Sequence, residues 1–200
     1  MISARFASIV AIVAFALLLF VALNKPVEVK TREQAVKFLL DDLNSDPQLA
    51  AGEKLFKIFS TEYSNETGEW NAVVKITLSP HSQCPTVLIR NYQLLPIRHG
   101  LDKVVTQNCQ IGSPIAFVEE AIIASRKAFT TEYTSRAYAC GYKLPFNAIE
   151  AKEYCQGADE VAIYDLATSV DNAEWVAEWR TEEGKKYVAL DGVGKVITVK

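Results

Sequence analysis

The sequence predicts an α+β protein in which an N-terminal transmembrane helix precedes two tandem units, each built from one helix and an antiparallel sheet. Three features of the 200-residue chain support this organisation: a run of 18 uncharged residues near the N-terminus, a short motif repeated at a constant offset, and four cysteines. We divide the chain into an anchor (residues 1–24), a first unit (25–112) and a second unit (113–200).

The uncharged run extends from Phe6 to Leu23, which is at the short end of the length that a membrane-spanning helix needs. It is longer than the apolar core of an ordinary signal peptide, and no small-residue cleavage site follows it. We therefore expect a retained membrane anchor rather than a cleaved signal. Four basic residues between positions 25 and 37 oppose export of the C-terminal part by the positive-inside rule.

The cysteines favour export instead. Cys84, Cys109, Cys140 and Cys155 are even in number and contain no C-x-x-C pair, which in an exported domain is typical of two disulfides. Pairing of sequence neighbours, 84 with 109 and 140 with 155, is the simplest connectivity, and four buried thiols in a cytosolic domain are the alternative. We expect a single-pass protein of the cell membrane with an extracytoplasmic C-terminal domain. Asn65 begins a glycosylation sequon in a predicted turn of that domain.

The charge balance argues against a nucleic-acid partner. Arg5 is the only charged residue of the anchor, so the rest of the chain carries 20 basic and 24 acidic residues, a net charge of −4. No basic cluster accompanies this negative charge. The acidic pairs Glu119-Glu120 and Glu182-Glu183 fall in a predicted first helical turn and a predicted hairpin turn, where we expect solvated carboxylates.

One candidate metal site combines His81 and Cys84 with His99 and Cys109. Two histidines and two cysteines match the ligand preference of zinc, but their spacing is not that of a known zinc finger. A disulfide flanked by surface histidines is the simpler interpretation, so we expect neither a metal nor another cofactor. The chain also lacks a G-x-S-x-G motif and a phosphate-binding loop, and we therefore expect no catalytic residues.

The first unit is predicted to open with a helix over residues 31–43. Thr31 and Gln34 have the spacing of a capping box. The apolar stripe of this helix is Val36, Leu39, Leu40 and Leu43. Alternating apolar and polar residues then indicate antiparallel strands. Three strands follow, at residues 55–64, 70–78 and 85–97.

The second unit is predicted to repeat this order. Ser113 and Pro114 are the expected N-cap and first residue of a helix that extends through residue 129. Four strands follow, at residues 161–169, 175–181, 187–192 and 195–200. The segment 129–160 has no counterpart in the first unit and is interpreted as an insertion.

A repeated motif links the two units. Residues 64–72 and 169–177 share a Ser, four residues, Glu-Trp, one residue and Ala, at a constant offset of 105 positions. In the predicted elements this motif falls on the same hairpin of each unit. We attribute it to duplication of one fold and expect the two units to superpose with Trp70 and Trp175 at equivalent positions.

The insertion is the most aromatic part of the chain. Its candidate partner surface consists of Phe129, Tyr133, Tyr138, Tyr142 and Phe146. Tyrosine suits interface anchors, whereas packing between the two units is the alternative use of these rings.

The C-terminal strands carry a pattern of aromatic, turn and apolar residues. Its members are Trp175, Val176, Gly184, Tyr187, Val188, Asp191, Gly194, Val196 and Ile197. This pattern resembles the PepSY domain, and residues 31–40 look like the opening helix of that family. The resemblance implies two PepSY/cystatin-like units, the first a diverged copy. It also implies a non-catalytic module of the cell envelope, which in some relatives belongs to a protease propeptide or restrains proteases.

From these features we expect the extracytoplasmic domain to bind or scaffold other proteins, with an envelope protease or a membrane complex as the candidate partner. One alternative is an envelope enzyme with its site in residues 129–160, which would require histidines and carboxylates clustered in a deep pocket. Another is a pilin-like filament subunit, which would require one continuous helix from residue 6 past residue 40. Pro26 counts against that helix.

Overall fold

The computed structural model describes Phe15 and residues 29–94 and 97–200. The predicted anchor therefore lies outside the described residues, apart from Phe15. Among the residues that are described, no helix has the length and apolar composition needed to cross a membrane. The described chain is α+β and forms two antiparallel sheets, which confirms this part of the predicted fold class.

The first sheet contains five antiparallel strands in the described part of the chain. They are β1 (Lys54–Ser64), β2 (Glu69–Leu78), β3 (Thr86–Leu94), β4 (Ile97–His99) and β5 (Lys103–Thr106). β1 forms one edge and pairs with β2, β2 pairs with β3, and both β4 and β5 pair with β3. A bulge between Ile58 and Ser60 leaves Phe59 without a partner on β2 and turns it out of the regular alternation.

Helix α1 (Arg32–Ser45) covers one face of this sheet, and a short 3-10 helix (Pro47–Leu49) follows it. The helix begins where predicted, because Thr31 is extended and its hydroxyl accepts a hydrogen bond from the backbone N–H of Gln34. Its buried side chains are Ala35, Leu39 and Leu43. The other two residues of the predicted stripe, Val36 and Leu40, are only half-buried.

The second sheet has four antiparallel strands in consecutive order. They are β6 (Tyr138–Lys143), β7 (Trp175–Thr181), β8 (Gly184–Leu190) and β9 (Val196–Val199). Helices lie on both of its faces, so both faces are apolar. The helices of this unit are α2 (Val118–Ser125), a 3-10 turn (Arg126–Ala128), α3 (Thr131–Arg136), α4 (Ala148–Tyr154) and α5 (Glu160–Ser169). Helix α2 covers one face, while α4 and α5 cover the other.

The strand predicted at 161–169 is wrong, because this segment is helix α5. Asp159 caps the helix by accepting a hydrogen bond from the backbone N–H of Ala162. Ile163 and Leu166 are its buried residues, at the spacing of three that a helix face requires. The strand beside β7 is β6, which comes from the segment interpreted as an insertion. That segment therefore supplies an element of the sheet.

The predicted start of α2 is also wrong. Ser113 and Pro114 precede the helix, which begins at Val118. The carboxylate of Glu120 accepts hydrogen bonds from the backbone N–H groups of Ala116 and Phe117 at 2.7 and 3.0 Å. These bonds satisfy donors that a helix start leaves unpaired, so the first turn is fixed by an acid inside it rather than by Ser113.

The two motif tryptophans occupy similar strands. Trp70 lies near the start of β2 and Trp175 at the start of β7, and each strand is the second in its sheet. The motif as a whole does not mark one hairpin, because Ser64 ends a strand whereas Ser169 ends a helix. The prediction of a shared hairpin is therefore wrong, and superposition of the units stays a prediction.

Candidate functional site

A cleft of about 260 Å³ lies between the two sheets. Its walls include the edge strands β1 and β6, the side chains of Lys75 and Thr77 on β2, the start of α2, and helix α4. These elements are far apart in the chain, so no local pattern in the sequence could reveal the cleft. Two apolar rings close one side of it, since Phe59, displaced by the bulge in β1, stacks on Phe117 with 6.0 Å between centroids.

Lys75 and Glu119 form a buried ion pair in the cleft region. Lys75 Nζ donates to both carboxylate oxygens of Glu119 at 2.7 and 3.0 Å, and the Thr77 hydroxyl donates to the same carboxylate at 2.7 Å. Lys75 is 7% exposed and Glu119 is fully buried. The rings of Phe117 and Tyr154 lie 5.2 and 5.7 Å from Nζ and shield it further. The pair joins β2 to α2 and thereby fixes one sheet against the other.

This burial corrects the prediction for the acidic pair at 119 and 120. Both carboxylates are buried rather than solvated, the first against Lys75 and the second against the backbone that precedes α2. The lysine that neutralises Glu119 lies 44 positions away on the other sheet. Burial and the nearby Glu119 carboxylate raise the pKa of Tyr154 well above its usual range. Its hydroxyl therefore stays protonated, and it donates to the carbonyl of Pro80 at 3.1 Å.

Strand β6 has unpaired backbone groups on the edge that faces away from β7. Ala139 identifies this edge, because its N–H donates to the His81 carbonyl at 2.9 Å and its carbonyl oxygen lies 3.2 Å from His81 Nδ1. Alternate residues of a strand direct their backbone groups to the same side. Gly141 and Lys143 therefore also direct N–H and C=O away from β7. Within residues 29–94 and 97–200 these groups have no hydrogen-bond partner, and both residues line the cleft.

Gly141 allows the start of α2 to pack closely against β6. A Cβ built on Gly141 would lie 3.0 Å from Cβ of Val118 and would overlap the Val118 carbonyl oxygen. Only glycine therefore allows the start of α2 to approach β6 so closely. Gly141 is therefore buried against Val118, although it also contributes to the lining of the cleft.

Strand β1 presents its outer edge to the same cleft. The Ser79 N–H donates to the Glu53 carbonyl at 2.9 Å, so the backbone groups of Glu53 point towards β2. Every second residue along β1 directs its backbone groups the same way, and the residues between them point to the open side. Phe56 then directs its backbone groups away from β2. Its ring packs in the core beneath α1, yet Phe56 also lines the cleft, as expected if its backbone forms that wall.

Trp175, a residue of the cleft wall, has a buried indole donor without a partner. The residue lines the cleft, is 2% exposed, and its indole N–H is buried without a partner among the described residues. Lys143 is its cross-strand neighbour, and Nζ of that lysine lies 5.4 Å from the Trp175 ring centroid. A buried donor without an acceptor is unusual in proteins.

A second polar cluster contacts β6 on the sheet face opposite to α2. The Tyr142 hydroxyl donates to Glu178 at 2.7 Å, and Arg180 Nε donates to the other carboxylate oxygen at 2.8 Å. Burial disfavours the charged form of Glu178, but hydrogen bonds from Arg180 and Tyr142 outweigh it and lower the pKa of Glu178. Burial, reinforced by Glu178, raises the pKa of Tyr142 far above its usual range. The cluster fixes the Tyr142 side chain, and with it the strand whose edge faces the cleft.

Both predicted disulfides are confirmed. Cys140–Cys155 joins β6 to the end of α4, so it connects two walls of the cleft. The alternative zinc site does not form, because Cys84 is bonded to Cys109. In the described chain, the one group of potential metal ligands places His81 beside the sulfurs of Cys140 and Cys155, which are bonded to each other.

The five aromatic residues of the predicted partner surface lie in three different places. Phe129 and Tyr133 contact each other, with 5.0 Å between centroids, and pack against the core under α2. Tyr138 is partly exposed at the start of β6. Tyr142 and Phe146 contact each other at 5.6 Å and both line the cleft. Two of the five therefore belong to the candidate site. The sequon residue, Asn65, is exposed in the turn between β1 and β2.

No protein-family model matches the chain, and no curated protein or solved structure is significantly similar to it. The resemblance to the PepSY domain thus stays a prediction that rests on the residues of β7 to β9.

Proposed function

We propose that the protein is a membrane-anchored, extracytoplasmic module that binds an extended segment of another protein in the cleft between β1 and β6. The observation that carries the proposal is the unpaired edge of β6 at Gly141 and Lys143. An extended segment that adds to a sheet edge gains main-chain hydrogen bonds, while pockets beside the edge select its side chains.

The size and walls of the cleft support a peptide segment. Its volume, about 260 Å³, is below the roughly 300–1,000 Å³ of typical small-molecule pockets, but it can receive the few residues that contact a short edge. The stacked rings of Phe59 and Phe117 on one side, and Tyr142 with Phe146 on the other, offer apolar contacts for alternate side chains. Open strand edges are otherwise covered or blocked in most proteins.

The rest of the proposal rests on the sequence. The apolar run Phe6 to Leu23 supports a membrane anchor, and the two disulfides support an oxidising compartment outside the cytoplasm. The resemblance to PepSY suggests an envelope protease or a membrane complex as the source of the segment. A module that occupies an extended segment of a protease or its substrate would modulate that enzyme without catalytic residues of its own.

Two observations favour this function over the alternatives. The cleft lining in the described structure contains no histidine and one carboxylate, Glu150, whereas the enzyme hypothesis expects histidines and carboxylates together. Thr31 has an extended backbone and α1 begins at Arg32. The pilin-like hypothesis instead expects a helix that continues through this position.

The test combines site-specific photo-crosslinking in membranes with two variants of one residue. A photoreactive phenylalanine at position 59 faces the cleft, and the same residue at Tyr164, exposed on α5, serves as the control site. Lys143→Pro removes an N–H that has no partner in the fold, so the ladder to β7 stays intact, whereas Lys143→Ala keeps it. We expect a partner captured from position 59 alone, lost in Lys143→Pro and retained in Lys143→Ala.

The proposal fails if the same partner is captured equally from position 164, or if Lys143→Pro captures it as efficiently as the parent chain. Thermal unfolding of both variants shows whether a lost signal reflects misfolding. Amide hydrogen exchange supplies a second readout. The amide of Lys143, an exposed residue, should exchange rapidly in the free chain and become protected when the partner segment is bound.

A further inference from the structure

We propose that the disulfide between Cys84 and Cys109 is redox-active and exchanges with an external dithiol, with Arg126 stabilising the thiolate that leaves. This inference goes beyond the proposed function and does not depend on strand addition at β6. It assigns a reaction, thiol–disulfide exchange, and the chemical class of the reactant, a molecule that carries two thiols.

The first observation is the guanidinium beside the two sulfurs. Arg126, directly after α2, donates through Nη1 to the sulfurs of Cys84 and Cys109 at 3.0 and 2.7 Å. The sulfurs of a disulfide are weak acceptors, whereas a thiolate is charged and accepts a stronger hydrogen bond. In the described part of the chain Arg126 has no carboxylate within ion-pair distance, so no acid neutralises its charge. Because a neighbouring arginine lowers the pKa of a thiol, either sulfur can leave more readily as a thiolate.

The second observation is the difference in burial between the two disulfides. The disulfide that joins β6 to α4 has no exposed surface, whereas Cys84 and Cys109 are half-buried. Cys109 lies in a tight turn closed by a hydrogen bond of 3.0 Å from the N–H of residue 110 to the carbonyl of residue 107. The other three residues of this turn, 107, 108 and 110, are exposed. Partly exposed cysteines in electropositive surroundings are the reactive kind, and buried ones are inert.

The third observation is that the two segments bearing these cysteines are held together without the sulfur–sulfur bond. The hydroxyl of Thr106, a fully buried residue, accepts from the Val87 N–H at 2.9 Å and donates to the Pro85 carbonyl at 2.8 Å. Val87 and Thr106 are also partners where β3 pairs with β5. Reduced Cys84 and Cys109 should therefore stay close to each other, and the disulfide can form again.

The exchange consists of two displacements. A thiolate of the dithiol attacks one sulfur, the Cys84–Cys109 bond breaks as a mixed disulfide forms, and the other cysteine leaves as a thiolate beside Arg126. The second thiolate of the dithiol then attacks its own sulfur in the mixed disulfide and releases the second cysteine. Two electrons pass to the chain and the dithiol becomes a disulfide. Its two protons reach the sulfurs of Cys84 and Cys109 through the solvent.

The test follows both disulfides in one experiment. The full chain in nanodiscs is treated with dithiothreitol or with reduced thioredoxin, alkylated at successive times, and digested for mass spectrometry. We expect alkylation of Cys84 and Cys109 to be at least about tenfold faster than that of the buried pair, Cys140 and Cys155. Faster reduction by thioredoxin would identify a protein dithiol as the favoured reactant and faster reduction by dithiothreitol a small one, and either supports the exchange. Equal rates for the two disulfides would overturn it.

Variants of Arg126 test the role of the guanidinium. Arg126→Gln should slow reduction of Cys84–Cys109 about three- to tenfold, because a thiol whose pKa rises by about one to two pH units leaves more slowly. Arg126→Lys keeps the charge and should keep most of the rate. Lys127→Gln is the matched control, because Lys127 is the exposed neighbour and it is Arg126 that contacts the sulfurs. The buried disulfide should stay intact in each variant, which shows that the fold is retained. Equal slowing by Arg126→Gln and Lys127→Gln would contradict the role of Arg126.

The thiol pKa of the reduced parent chain supplies a readout that does not depend on any variant. The rate of alkylation by iodoacetamide follows the thiolate fraction, so its pH profile gives the pKa of each cysteine. We expect the pKa of Cys84 or Cys109 to lie below the ordinary value of about 8.5, and to rise in Arg126→Gln. If both thiols of the parent chain titrate at or above that value, the proposal is overturned, whether or not the variant folds normally.

Discussion

Replacing Glu119 by leucine, or Lys75 by methionine, tests the ion pair that fixes the two sheets together. Each change leaves a charge in the interior without its partner, which typically costs about 3–5 kcal/mol. Replacing both residues leaves an apolar pair of similar size and is often neutral or stabilising. The total stability of a domain is only about 5–15 kcal/mol, so each single variant should unfold at a much lower urea concentration.

The two single variants should not be equal. Lys75 lies at the cleft wall and is 7% exposed, whereas Glu119 has no exposed surface. In Glu119→Leu the lysine can extend its ammonium towards water through the cleft. In Lys75→Met the carboxylate loses its ammonium partner and keeps the neutral Thr77 hydroxyl as a donor. We therefore expect Lys75→Met to be the more destabilising of the two at neutral pH.

Urea unfolding of the full chain in detergent micelles, followed by tryptophan fluorescence, gives the free energy of unfolding for each variant. The four proteins form a double-mutant cycle that isolates the coupling between the two side chains. Lys57→Met is the matched control, because the pair of Lys57 with Glu150 is exposed and 4.0 Å long, and such pairs contribute about 0–1 kcal/mol. Losses within about 1 kcal/mol of the parent for both single variants would refute the buried-charge argument.

The remaining predictions concern the edge strand and its support. Gly141→Ala should destabilise the chain by about 1–3 kcal/mol, because the new methyl group overlaps the backbone of Val118. Gly100→Ala, which meets no atom within 4 Å, should cost much less, and equal losses would contradict the argument. The hydrogen bonds to Glu178 lower its pKa in the folded state, so its stabilisation is complete above the unfolded pKa of about 4.3 and is lost as pH falls through the folded value. Glu178→Gln should therefore be clearly less stable than the parent at pH 7, and the difference should shrink below about pH 4; a pH-independent difference would contradict it.

Sequence reasoning succeeded where local patterns decide the structure. The hairpin of β1 and β2 has alternating apolar and polar residues, interrupted by the bulge at Phe59, and a turn between the strands, and α1 has its cap residue at Thr31. The disulfides were also predictable, because sequence neighbours could be paired without knowledge of the fold.

The failures have specific causes. Residues 161–169 contain apolar residues compatible with a strand, and only the capping Asp159 and the spacing of Ile163 and Leu166 indicate a helix. The short strand β6 lies in a segment that has no counterpart in the first unit, so the repeat does not reveal it, and Gly141 reduces its strand signal. The burial of Glu119 depends on a lysine from the other sheet. The cleft likewise arises from the docking of distant elements, which a single sequence does not encode in any local window.

The recessed position of the β6 edge has a consequence for the behaviour of the protein at high local concentration. Exposed edges invite pairing between copies of the same chain, and proteins commonly counter this with charge or cover. Here the start of α2 and the helix α4 stand beside the edge, and Lys143 adds a charge to it. These walls and this charge oppose pairing of the edge with a sheet of a neighbouring copy. The walls that form the cleft should therefore also limit self-association, which would matter for a chain held at a membrane surface by the proposed anchor.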